Sequence, residues 1–475
     1  MDKFDIVIIG GGVAGLVAAS GAAQLGARVA LIDKNGLGGD CLRSGCVPTK
    51  RLVRSASVAS LARKAAAFGV LTGEVRVDFA SVMAGVRAAQ AEIGRRDSPE
   101  RFQEMGVEVV FGNGRFVSPD AFEVDGKRYS GRVFLIATGS SPVMPFIPGL
   151  RDAGAQTNEG ILEVGALPSS LAVLGAGPIG IEFGQAFGRL GSRVTVVEKA
   201  GSILPREDAE LAAMLKSILE DEGMTIDVST GIKGVRVVSG QKVMEGISGG
   251  NEKLYNTEEI LAAVGRGPNV DGLDLQQAGV EYDRGGIKTD SRLRTSARHI
   301  FAAGDCAGGP AFTHVAEYQA GVALANALFP FALRSVDYTV VPRVTFTDPE
   351  LAAVGLTEAE ARERHGSVRV YRYDFKDVDR AVIDGNAKGM VKVVCGRRER
   401  ILGAHILGPH AGELIHEYAL AMRAGIPATE ISKTIHAYPT LAQSVKRACD
   451  EHYRKRLFSG RFKRAAQWFI RRSGD

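Results

Sequence analysis

Two cysteines separated by four residues stand in the stretch Gly38-Gly39-Asp40-Cys41-Leu42-Arg43-Ser44-Gly45-Cys46-Val47-Pro48-Thr49-Lys50, and a run typical of a helix follows it. Five residue steps along a regular α-helix would hold two Cα atoms more than ~7 Å apart, which is too far for a disulfide. The pair must therefore lie where the helix is only beginning, and Gly39 and Gly45 permit the irregular backbone that this requires. The positive helix end, with Arg43 and Lys50, would lower the pKa of a thiol there and favour its thiolate.

The alternative interpretation of this stretch is two unpaired buried cysteines, since free cysteine is often buried. Against it, the stretch resembles the redox segment of the flavoprotein disulfide reductases, a family that includes dihydrolipoamide dehydrogenase, glutathione reductase and mercuric reductase. The shared pattern is Gly-Gly-x-Cys, four residues, then Cys-x-Pro-x-Lys. The chain departs from the family at Arg43, where Asn is usual. The resemblance runs to about residue 450 and implies a redox-active Cys41–Cys46 pair in a homodimer.

Length and composition indicate a soluble globular protein with several domains. A chain of 475 residues is too long for one hydrophobic core, and its hydrophobic content of 45% is ordinary. No apolar run reaches the ~18 residues of a transmembrane helix. A strand pattern begins at once after the first few residues, so we expect no signal peptide and a cytoplasmic location. Five cysteines are few for an exported disulfide scaffold.

The basic charge of the chain belongs to its C-terminal tail. Residues 451–475 hold eight Lys and Arg residues against Glu451 and Asp475, a net charge of +6. Because the whole chain carries +5, the first 450 residues carry −1. The body of the protein is therefore neutral, and we expect no nucleic-acid partner.

The tail predicts an amphipathic helix. The apolar residues that recur at helical spacing are Phe462, Ala465, Ala466 and Phe469. Trp468 adjoins them, and basic residues fill much of the rest. Such a helix is suited to an anionic membrane surface or to an acidic partner. The alternative is a terminal helix packed on its own dimer, its charges merely solvated. We expect Ser459-Gly460 to form the hinge that precedes it.

The glycine-rich turn after residues 5–9 predicts dinucleotide binding. Gly10, Gly12 and Gly15 have the GxGxxG spacing, a helical run and a second strand follow, and Asp33 stands eighteen residues past the last glycine. The glycines would let backbone N–H groups approach a pyrophosphate at a helix N-terminus, and Asp33 would bind ribose hydroxyls. GxGxxG alone is weak evidence, but the strand, helix and acid at this spacing strengthen it.

The same pattern recurs at Gly175, Gly177 and Gly180, with Glu198 again eighteen residues past the last glycine. Two complete patterns predict two dinucleotides, which separates an electron-transferring flavoenzyme from a simple dehydrogenase. Glu198 favours NADH over NADPH, because a carboxylate hydrogen-bonds a free 2′-hydroxyl group and repels a 2′-phosphate. Lys199, next to Glu198, weakens this preference slightly, and the only arginine nearby is Arg206, beyond Pro205.

The family resemblance assigns further residues to the two nucleotides. Those expected at FAD are Lys50, Gly114, Thr138, Gly139, Asp305 and Ala316. Gly265 is expected at the nicotinamide nucleotide. Glu182 is expected at the junction of nicotinamide and flavin, paired with Lys50, because its place in the second helix has no obvious structural reason. The alternative for Glu182 is an ordinary carboxylate on a helix surface. Cys306 is expected to be a packed core thiol.

The C-terminal landmark is the run His436-Ala437-Tyr438-Pro439-Thr440-Leu441-Ala442-Gln443. In dihydrolipoamide dehydrogenases and glutathione reductases a His stands directly before this proline and a Glu four residues after it. That pair is the acid–base partner of the first cysteine across the dimer. Tyr438 and Gln443 occupy those positions here. Tyrosine before the proline resembles mercuric reductases, but their C-terminal cysteine pair is absent. His436 and Tyr438 could face one side and are both catalytic candidates, although a structural role is favoured for His436.

These patterns predict an α/β protein with two Rossmann-like dinucleotide-binding domains, the nicotinamide domain inserted in the FAD domain, and a C-terminal α+β dimerisation domain. The expected parts are the FAD domain at 1–149 and 270–338, the NAD(H)-binding domain at 150–269, the dimerisation domain at 339–450 and the basic tail at 451–475.

The resemblance implies an NAD(P)H-dependent flavoprotein disulfide reductase of enzyme class 1.8.1. Electrons would pass from NADH through FAD to Cys46, which the family places against the flavin, and Cys41 would be the thiolate that attacks a small disulfide or lipoyl-type substrate. The alternative is a reductase of mercuric ion, of class 1.16.1, or of a quinone. A third interpretation is a flavin-bearing scaffold without catalysis. No resident metal is expected.

Overall fold

The computed structural model describes residues 3–329, 331–458 and 460–472. The chain divides into two compact units. The first comprises Met1–Gly175, Ala186–Val197 and Gly231–Asp337, and the second comprises Ala176–Gln185, Glu198–Thr230 and Tyr338–Asp475. Within the described residues, no helix is both long enough and apolar enough to cross a membrane.

The α-helices are α1 (Val13–Gln24), α2 (Gly39–Arg43), α3 (Cys46–Lys64), α4 (Phe79–Gly94), α5 (Pro99–Glu104), α6 (Pro178–Leu190), α7 (Ala209–Asp221), α8 (Thr313–Leu328), α9 (Glu358–His365), α10 (Asp379–Ile383), α11 (Ala411–Ala424), α12 (Ala428–Lys433), α13 (Gln443–Leu457) and α14 (Gly460–Arg472). The strands up to the second glycine-rich turn are β1 (Phe4–Ile9), β2 (Val29–Asp33), β3 (Val107–Phe111), β4 (Gly114–Ser118), β5 (Ala121–Val124), β6 (Lys127–Ile136), β7 (Ser140–Pro142) and β8 (Ser170–Leu174).

The later strands are β9 (Arg193–Val197), β10 (Thr225–Asp227), β11 (Thr230–Val238), β12 (Gln241–Ser248), β13 (Asn251–Thr257), β14 (Glu259–Ala262), β15 (Arg266–Pro268), β16 (Tyr282–Asp283), β17 (Gly286–Ile287), β18 (Ile300–Ala302), β19 (Arg343–Thr345), β20 (Glu350–Gly355), β21 (Arg369–Asp374), β22 (Met390–Cys395) and β23 (Ile401–Gly408).

A parallel sheet forms the centre of the first unit. Its strands run in the order β3-β2-β1-β6, with β18 also pairing with β6. Ile6 and Ile8 of β1 are fully buried in a core that includes small residues of α1 and α8, such as Ala18 and Ala320. Both faces of a parallel sheet are covered, so its strands are continuously apolar. The first strand–turn–helix–strand pattern is confirmed.

The second nucleotide-binding pattern is also confirmed. In the first unit β8 pairs in parallel with β9 and with β14, and every residue of β8 is buried. The turn between β8 and α6 carries Gly175 and Gly177, as predicted. A chain with two such crossovers has the duplicated architecture that the sequence predicts.

The C-terminal part of the second unit is an antiparallel sheet with helices packed on it. The strand order is β19-β20-β23-β22-β21. Tyr418 of α11 is fully buried, and its hydroxyl group donates to the carbonyl oxygen of Val445, 2.9 Å away. The predicted helix of the tail is confirmed as α14, and α13 runs continuously through residue 450. Of the predicted hinge, Ser459 lies outside the described residues.

A buried lysine joins several acidic side chains of the second unit. The side chain of Lys392 is 3% exposed, and its ammonium group lies 2.8–2.9 Å from carboxylate oxygens of Asp208, Glu210 and Glu358. Burial raises the pKa of Glu358, but the hydrogen bonds from Lys392 and Arg362 and the positive charges of Lys392 and Arg372 together outweigh burial and bring the pKa to about 2. One cation therefore compensates three carboxylates in this cluster, with Arg372 as a second, more exposed cation.

Lys392→Met is expected to destabilise the protein by about 3–5 kcal/mol, because it leaves the buried carboxylate of Asp208 without its ammonium partner, whereas Glu210 and Glu358 keep Arg372. At neutral pH the thermal midpoint should fall by about 6 °C or more. Glu358 has an ordinary pKa of 4.5 and a folded pKa of about 2. Its stabilisation is therefore complete above pH 4.5 and is lost as the pH falls toward 2. The difference in midpoint between wild type and variant should shrink accordingly between pH 6 and pH 3.

The matched control is Lys127→Met, which removes a lysine whose side chain is 66% exposed and which pairs with Glu108. It should change the stability by no more than about 0.5 kcal/mol. Equal midpoints for the Lys392 variant and wild type at neutral pH would contradict the expectation.

Candidate active site

The two cysteines lie on either side of a helix start. Cys41 belongs to α2, whereas Cys46 is the first residue of α3. Gly45 between them has a non-helical backbone (φ −104°, ψ −116°), and Gly39 has a φ of +59°. Pro48 fits the first turn of α3 because N–H groups there have no intrahelical acceptor. The predicted location of the pair at the beginning of a helix is confirmed.

The two thiols are unbonded and share a hydrogen bond. That hydrogen bond is the main reason why the pKa of Cys41 lies well above its ordinary value, and burial adds to it. The sequence predicted a lowered thiol pKa, which is wrong for Cys41, because its thiol holds its proton against the sulfur of Cys46. The sulfur of Cys46 also lies 3.5 Å from the hydroxyl oxygen of Thr313, the first residue of α8.

The redox turn is fastened to the first glycine-rich turn through backbone atoms. The N–H group of Gly38 donates to the carbonyl oxygen of Gly11, 2.9 Å away. A Cβ atom on Gly39 would lie 2.7 Å from the Cα atom of Gly12, which is closer than real contacts allow. The cysteines are thus held at a fixed distance from the predicted pyrophosphate-binding turn.

The first and third glycines of this turn are required by the fold itself. A Cβ atom on Gly10 would lie 2.2 Å from the carbonyl oxygen of Ala137, and one on Gly15 would lie 1.8 Å from that of Gly10. Asp33 accepts hydrogen bonds from the N–H groups of Gly11, at 2.7 Å, and Asn35, also at 2.7 Å. The carboxylate of Asp33 therefore shapes the turn beside the predicted ribose position.

The second turn repeats this hydrogen bonding. Glu198 accepts from the N–H group of Ala176 at 2.7 Å and from that of Ala200 at 2.6 Å. A Cβ atom on Gly175 would lie 2.6 Å from the carbonyl oxygen of Ala263. One on Gly177 would meet no protein atom within 4 Å. Protein packing does not explain Gly177, whereas close approach of a pyrophosphate to the start of α6 would.

Several residues expected at FAD converge at the carboxyl ends of β6 and β18. Ser140 donates to a carboxylate oxygen of Asp305, 2.6 Å away. A Cβ atom on Gly304 would lie 3.6 Å from the Cβ atoms of both Ala14 and Ala316. The structure therefore brings Asp305 and Ala316 to the start of α1, at the edge of a parallel sheet where ligands bind.

Thr138 and Gly139 lie in the same region and are bound to Asn269. The hydroxyl group of Thr138 donates to the carbonyl oxygen of Asn269, 2.6 Å away, and the N–H group of Asn269 donates to the carbonyl oxygen of Gly139 at 2.9 Å. Gly139 has a φ of +70°, and Gly265 has a φ of +128°; a Cβ atom on either would meet nothing within 4 Å. Open space in front of these glycines fits bound nucleotides.

Gly114 has a structural explanation. A Cβ atom there would lie 2.2 Å from the ring of Phe122. The glycine at this position is required by packing, and its predicted contact with the adenine half of FAD stays a prediction. Cys306 is fully buried, as expected, and burial raises the pKa of its thiol.

Glu182 proves to have a structural partner that the sequence analysis missed. The residue is 3% exposed, and one carboxylate oxygen accepts from the N–H group of Phe346, 2.8 Å away. It is therefore not a carboxylate of a helix surface. Lys50 lies in α3 of the first unit, whereas Glu182 belongs to the second. Their predicted pairing stays a prediction.

His436 and Tyr438 do not share an environment. Both ring nitrogens of His436 lie near acceptor oxygens. Nδ1 is 3.0 Å from the carbonyl oxygen of Thr434, and Nε2 is 3.0 Å from a carboxylate oxygen of Glu417. The side chain of His436 is 7% exposed. Tyr438 is 70% exposed and donates to Asp379, 2.9 Å away. This hydrogen bond raises the pKa of Tyr438. The geometry favours a structural role for His436 and leaves Tyr438 accessible.

Gln443 occupies the position at which dihydrolipoamide dehydrogenases and glutathione reductases have a Glu, four residues after the proline. Its side-chain amide donates to the carbonyl oxygen of His436 at 2.9 Å and more weakly to that of Ala437 at 3.3 Å. It makes no described hydrogen bond with Tyr438, so the two residues do not form a dyad within this chain.

Two charged residues near the cysteines were not singled out from the sequence. Asp40 directly precedes Cys41, and its carboxylate lies 3.2 Å from the guanidinium group of Arg266. The sequence does contain a signal for both residues, because Asp40 lies inside the redox pattern and Arg266 lies inside the Gly-Arg-Gly-Pro-Asn run at 265–269.

The chain matches two family models. Residues 4–320 match the model described as pyridine nucleotide-disulphide oxidoreductase, and residues 341–449 match the dimerisation domain of the same family. The chain is 38% identical over 468 residues to the mitochondrial dihydrolipoyl dehydrogenase of Pisum sativum, covering 96% of this chain and 92% of the relative. It is 33% identical over 449 residues to the mercuric reductase of Lysinibacillus sphaericus, covering 94% and 82%.

Among solved structures, a similar fold is that of the Cu(II) complex of the HOCl-induced flavoprotein disulfide reductase RclA from Escherichia coli. The TM-score is 0.84 at 30% sequence identity, with 93% of this chain and 98% of that chain covered.

Wild type is expected to prefer NADH to NADPH by about tenfold or more in kcat/KM, because the carboxylate of Glu198 repels a 2′-phosphate. Glu198→Gln should narrow this ratio while keeping an oxygen acceptor for the turn, and Glu198→Ala should narrow it and also weaken the turn. Steady-state kinetics with both coenzymes measures the ratio.

Asp221→Asn is the control for the coenzyme experiment, since it removes an exposed carboxylate at the end of α7. Its coenzyme ratio should equal that of wild type. A wild-type preference for NADPH would disprove the role given to Glu198.

Proposed function

Because the chain belongs to the pyridine nucleotide-disulphide oxidoreductase family and is an enzyme that uses FAD and NAD(P)H, we propose that it reduces a small disulfide with NADH at Cys41 and Cys46. The reaction would be NADH + H⁺ + RSSR → NAD⁺ + 2 RSH. The observation that carries the proposal is the hydrogen-bonded cysteine pair at the start of α3, fastened to a dinucleotide-binding turn. The dimerisation-domain match supports a homodimer.

The two cysteines have different neighbours, and this supports different roles. Cys41 would attack the substrate as a thiolate, break its S–S bond and release one thiol. Cys46 would then attack the sulfur of Cys41, form the Cys41–Cys46 disulfide and release the second thiol. FAD, when bound, supplies the electron pair that returns this disulfide to the dithiol state. The contact of Cys46 with Thr313 of α8, whose next turn carries Ala316, supports Cys46 as the cysteine on the flavin side.

The nucleotide-binding residues keep the roles proposed from the sequence. Asp33, Thr138, Gly139, Asp305 and Ala316 would hold FAD with the first glycine-rich turn, and Glu198 and Gly265 would hold NADH with the second. Lys50 and Glu182 would meet at the junction. We also propose the domain limits stated above, with the nicotinamide domain inserted between the two parts of the FAD domain.

The acid–base group is the least regular part of the site. Tyr438 replaces the usual His, and its hydroxyl group is exposed and bound to Asp379. Across the homodimer, Tyr438 would be the residue that exchanges a proton with Cys41. A tyrosine with a raised pKa stays protonated at neutral pH and cannot accept a proton there as a histidine would, so turnover of lipoamide should be slow.

A second candidate function is the reduction of mercuric ion. The specific observation in its favour is the accessible Tyr438 before Pro439, which resembles mercuric reductases. Mercuric ion would be a substrate bound by thiolates, since soft metal ions prefer sulfur ligands.

Cys41→Ser and Cys46→Ser should each abolish NADH-dependent disulfide reduction while FAD stays bound. Wild type and both variants would be assayed with glutathione disulfide, lipoamide, Hg(II) and quinones. Flavin absorbance per chain checks cofactor binding.

Lipoamide turnover should rise by about tenfold or more in Tyr438→His/Gln443→Glu, because general acid–base catalysis contributes ~10²–10⁴-fold.

The matched control is Cys395→Ser, which removes a fully buried thiol of β22 in the second unit and should leave the acceptor profile unchanged. Activity with Hg(II) alone would replace the disulfide proposal by the second candidate. Full disulfide reduction by the Cys41 variant would contradict both.

We further propose that α14 binds an anionic membrane surface. Phe462, Phe469 and Ile470 lie on one face at i, i+7 and i+8, and they are 53%, 64% and 73% exposed. The helix contains basic residues and no acidic residue. Arg472 lies over the ring of Trp468, 4.3 Å from its centre. Exposed aromatic residues beside cations are typical of helices that lie in a membrane interface.

Chains truncated after Phe458 should no longer sediment with vesicles of phosphatidylserine and phosphatidylcholine, whereas full-length protein should sediment at low salt and be released by salt. Disulfide reductase activity should not change. Phe469→Ser/Ile470→Ser, which keeps all charges, should sediment less than wild type. Equal sedimentation of full-length and truncated chains would refute membrane binding, and loss of the dimer on truncation would show that α14 packs within the dimer.

A further inference from the structure

Asp40 and Arg266 form a partly buried ion pair beside the redox cysteines. The carboxylate oxygen Oδ2 of Asp40 lies 3.2 Å from the guanidinium group, and the Arg266 side chain is only 17% exposed. Asp40 is the residue directly before Cys41. Its carboxylate is one of the charges that act on the thiol that would attack the substrate.

Hydrogen bonds to Ser140, near the residues expected to bind FAD, hold the Arg266 side chain in place. Its Nε atom donates to the hydroxyl oxygen of Ser140 at 2.9 Å, and a terminal nitrogen donates to the carbonyl oxygen of Ser140 at 2.7 Å. The same hydroxyl group donates to Asp305. Arg266 also lies in β15, which pairs with β7. The guanidinium group therefore has little freedom to leave Asp40.

Hydrogen bonds within the redox turn hold Asp40 in place as well. Its oxygen Oδ1 accepts from the hydroxyl group of Ser44 at 2.7 Å, and its carbonyl oxygen accepts from the N–H group of Gly45 at 2.7 Å. A Cβ atom on Gly45 would lie 2.8 Å from Oδ2 of Asp40. The side-chain amide of Asn158 binds the carbonyl oxygen of Ser44 at 3.0 Å. The turn therefore leaves space for this carboxylate and fixes it.

We propose that the Asp40–Arg266 pair controls how readily Cys41 gives up its proton to become the attacking thiolate. The two residues are positioning residues that act by charge, and the proposal rests on the function proposed for Cys41. A carboxylate next to a thiol disfavours the negatively charged thiolate and so raises the pKa of the thiol. A guanidinium group next to that carboxylate partly cancels its charge and reduces this effect. Consistent with this direction, the pKa of Cys41 is raised by Cys46, by burial and, to a smaller extent, by Asp40.

The test measures the reactivity of the Cys41 thiol alone, in a FAD-loaded protein that carries Cys46→Ser. The rate of alkylation of Cys41 by iodoacetamide is followed from pH 6 to pH 10, with the labelled peptide identified by mass spectrometry. Asp40→Asn, which keeps the shape, should raise the rate at pH 7 by about three- to tenfold, since one pKa unit is a tenfold change in thiolate. Arg266→Gln should lower it by a similar factor.

Two further variants separate charge from shape. Arg266→Lys keeps the charge and should restore the rate to within about threefold of the parent, and the double variant Asp40→Asn/Arg266→Gln should return toward it. Arg236→Gln is the matched control, because it removes an exposed arginine paired with Glu245 in the same unit. It should leave the rate unchanged. Flavin absorbance and the thermal midpoint show whether each variant is folded.

Rates within twofold of the parent for both single variants would overturn the proposal. Changes in the same direction for Asp40→Asn and Arg266→Gln would also overturn it, since loss of structure, not charge, would then be the cause. The readout is thiol reactivity in a protein that cannot complete the reaction. Failure here is therefore distinct from failure of the disulfide proposal, which the acceptor assays of the wild type decide.

Discussion

The contact between two backbone turns determines the geometry of this site. Gly38 donates to Gly11, and Gly39 packs against Gly12 with no room for a side chain. The first turn is itself fixed by Gly10 against Ala137, the residue directly after β6 of the parallel sheet. The sheet therefore positions the cysteines through main-chain atoms, which vary less than side chains do. Cys46 and the start of α3 follow from that constraint.

Local spacing made most of the fold predictable. Each glycine-rich turn, with its acid eighteen residues past the last glycine, is a pattern within one short segment, and both acids fold back onto their own turns. The Asp40–Arg266–Ser140 network could not be found this way. Arg266 stands 126 residues from Ser140, and nothing in either segment alone indicates that they meet. Such contacts depend on how the strands are ordered in three dimensions.

The C-terminal run shows the same limit. A spacing of two residues suggests that His436 and Tyr438 face one side, but Glu417 of α11 holds the imidazole and Asp379 of α10 holds the phenol. Both carboxylates come from distant segments. Glu182 is similar, since its partner Phe346 follows β19. The residue types at a candidate site were readable from the sequence, whereas the neighbours that decide what each side chain does were not.

The carboxylate of Glu198 has a consequence for the evolution and engineering of coenzyme choice. One of its oxygens accepts from the N–H group of Ala176 in the second glycine-rich turn, and the other accepts from that of Ala200, after β9. An adaptive path toward a phosphorylated coenzyme could not simply exchange this acid for a neutral or basic side chain, because the glycine-rich turn and the segment after β9 would each lose a hydrogen bond to it. Selection would have to rebuild the loop first, or add cations around an unchanged glutamate. The NADH preference proposed for this protein is thus tied to the hydrogen bonding of its own binding site.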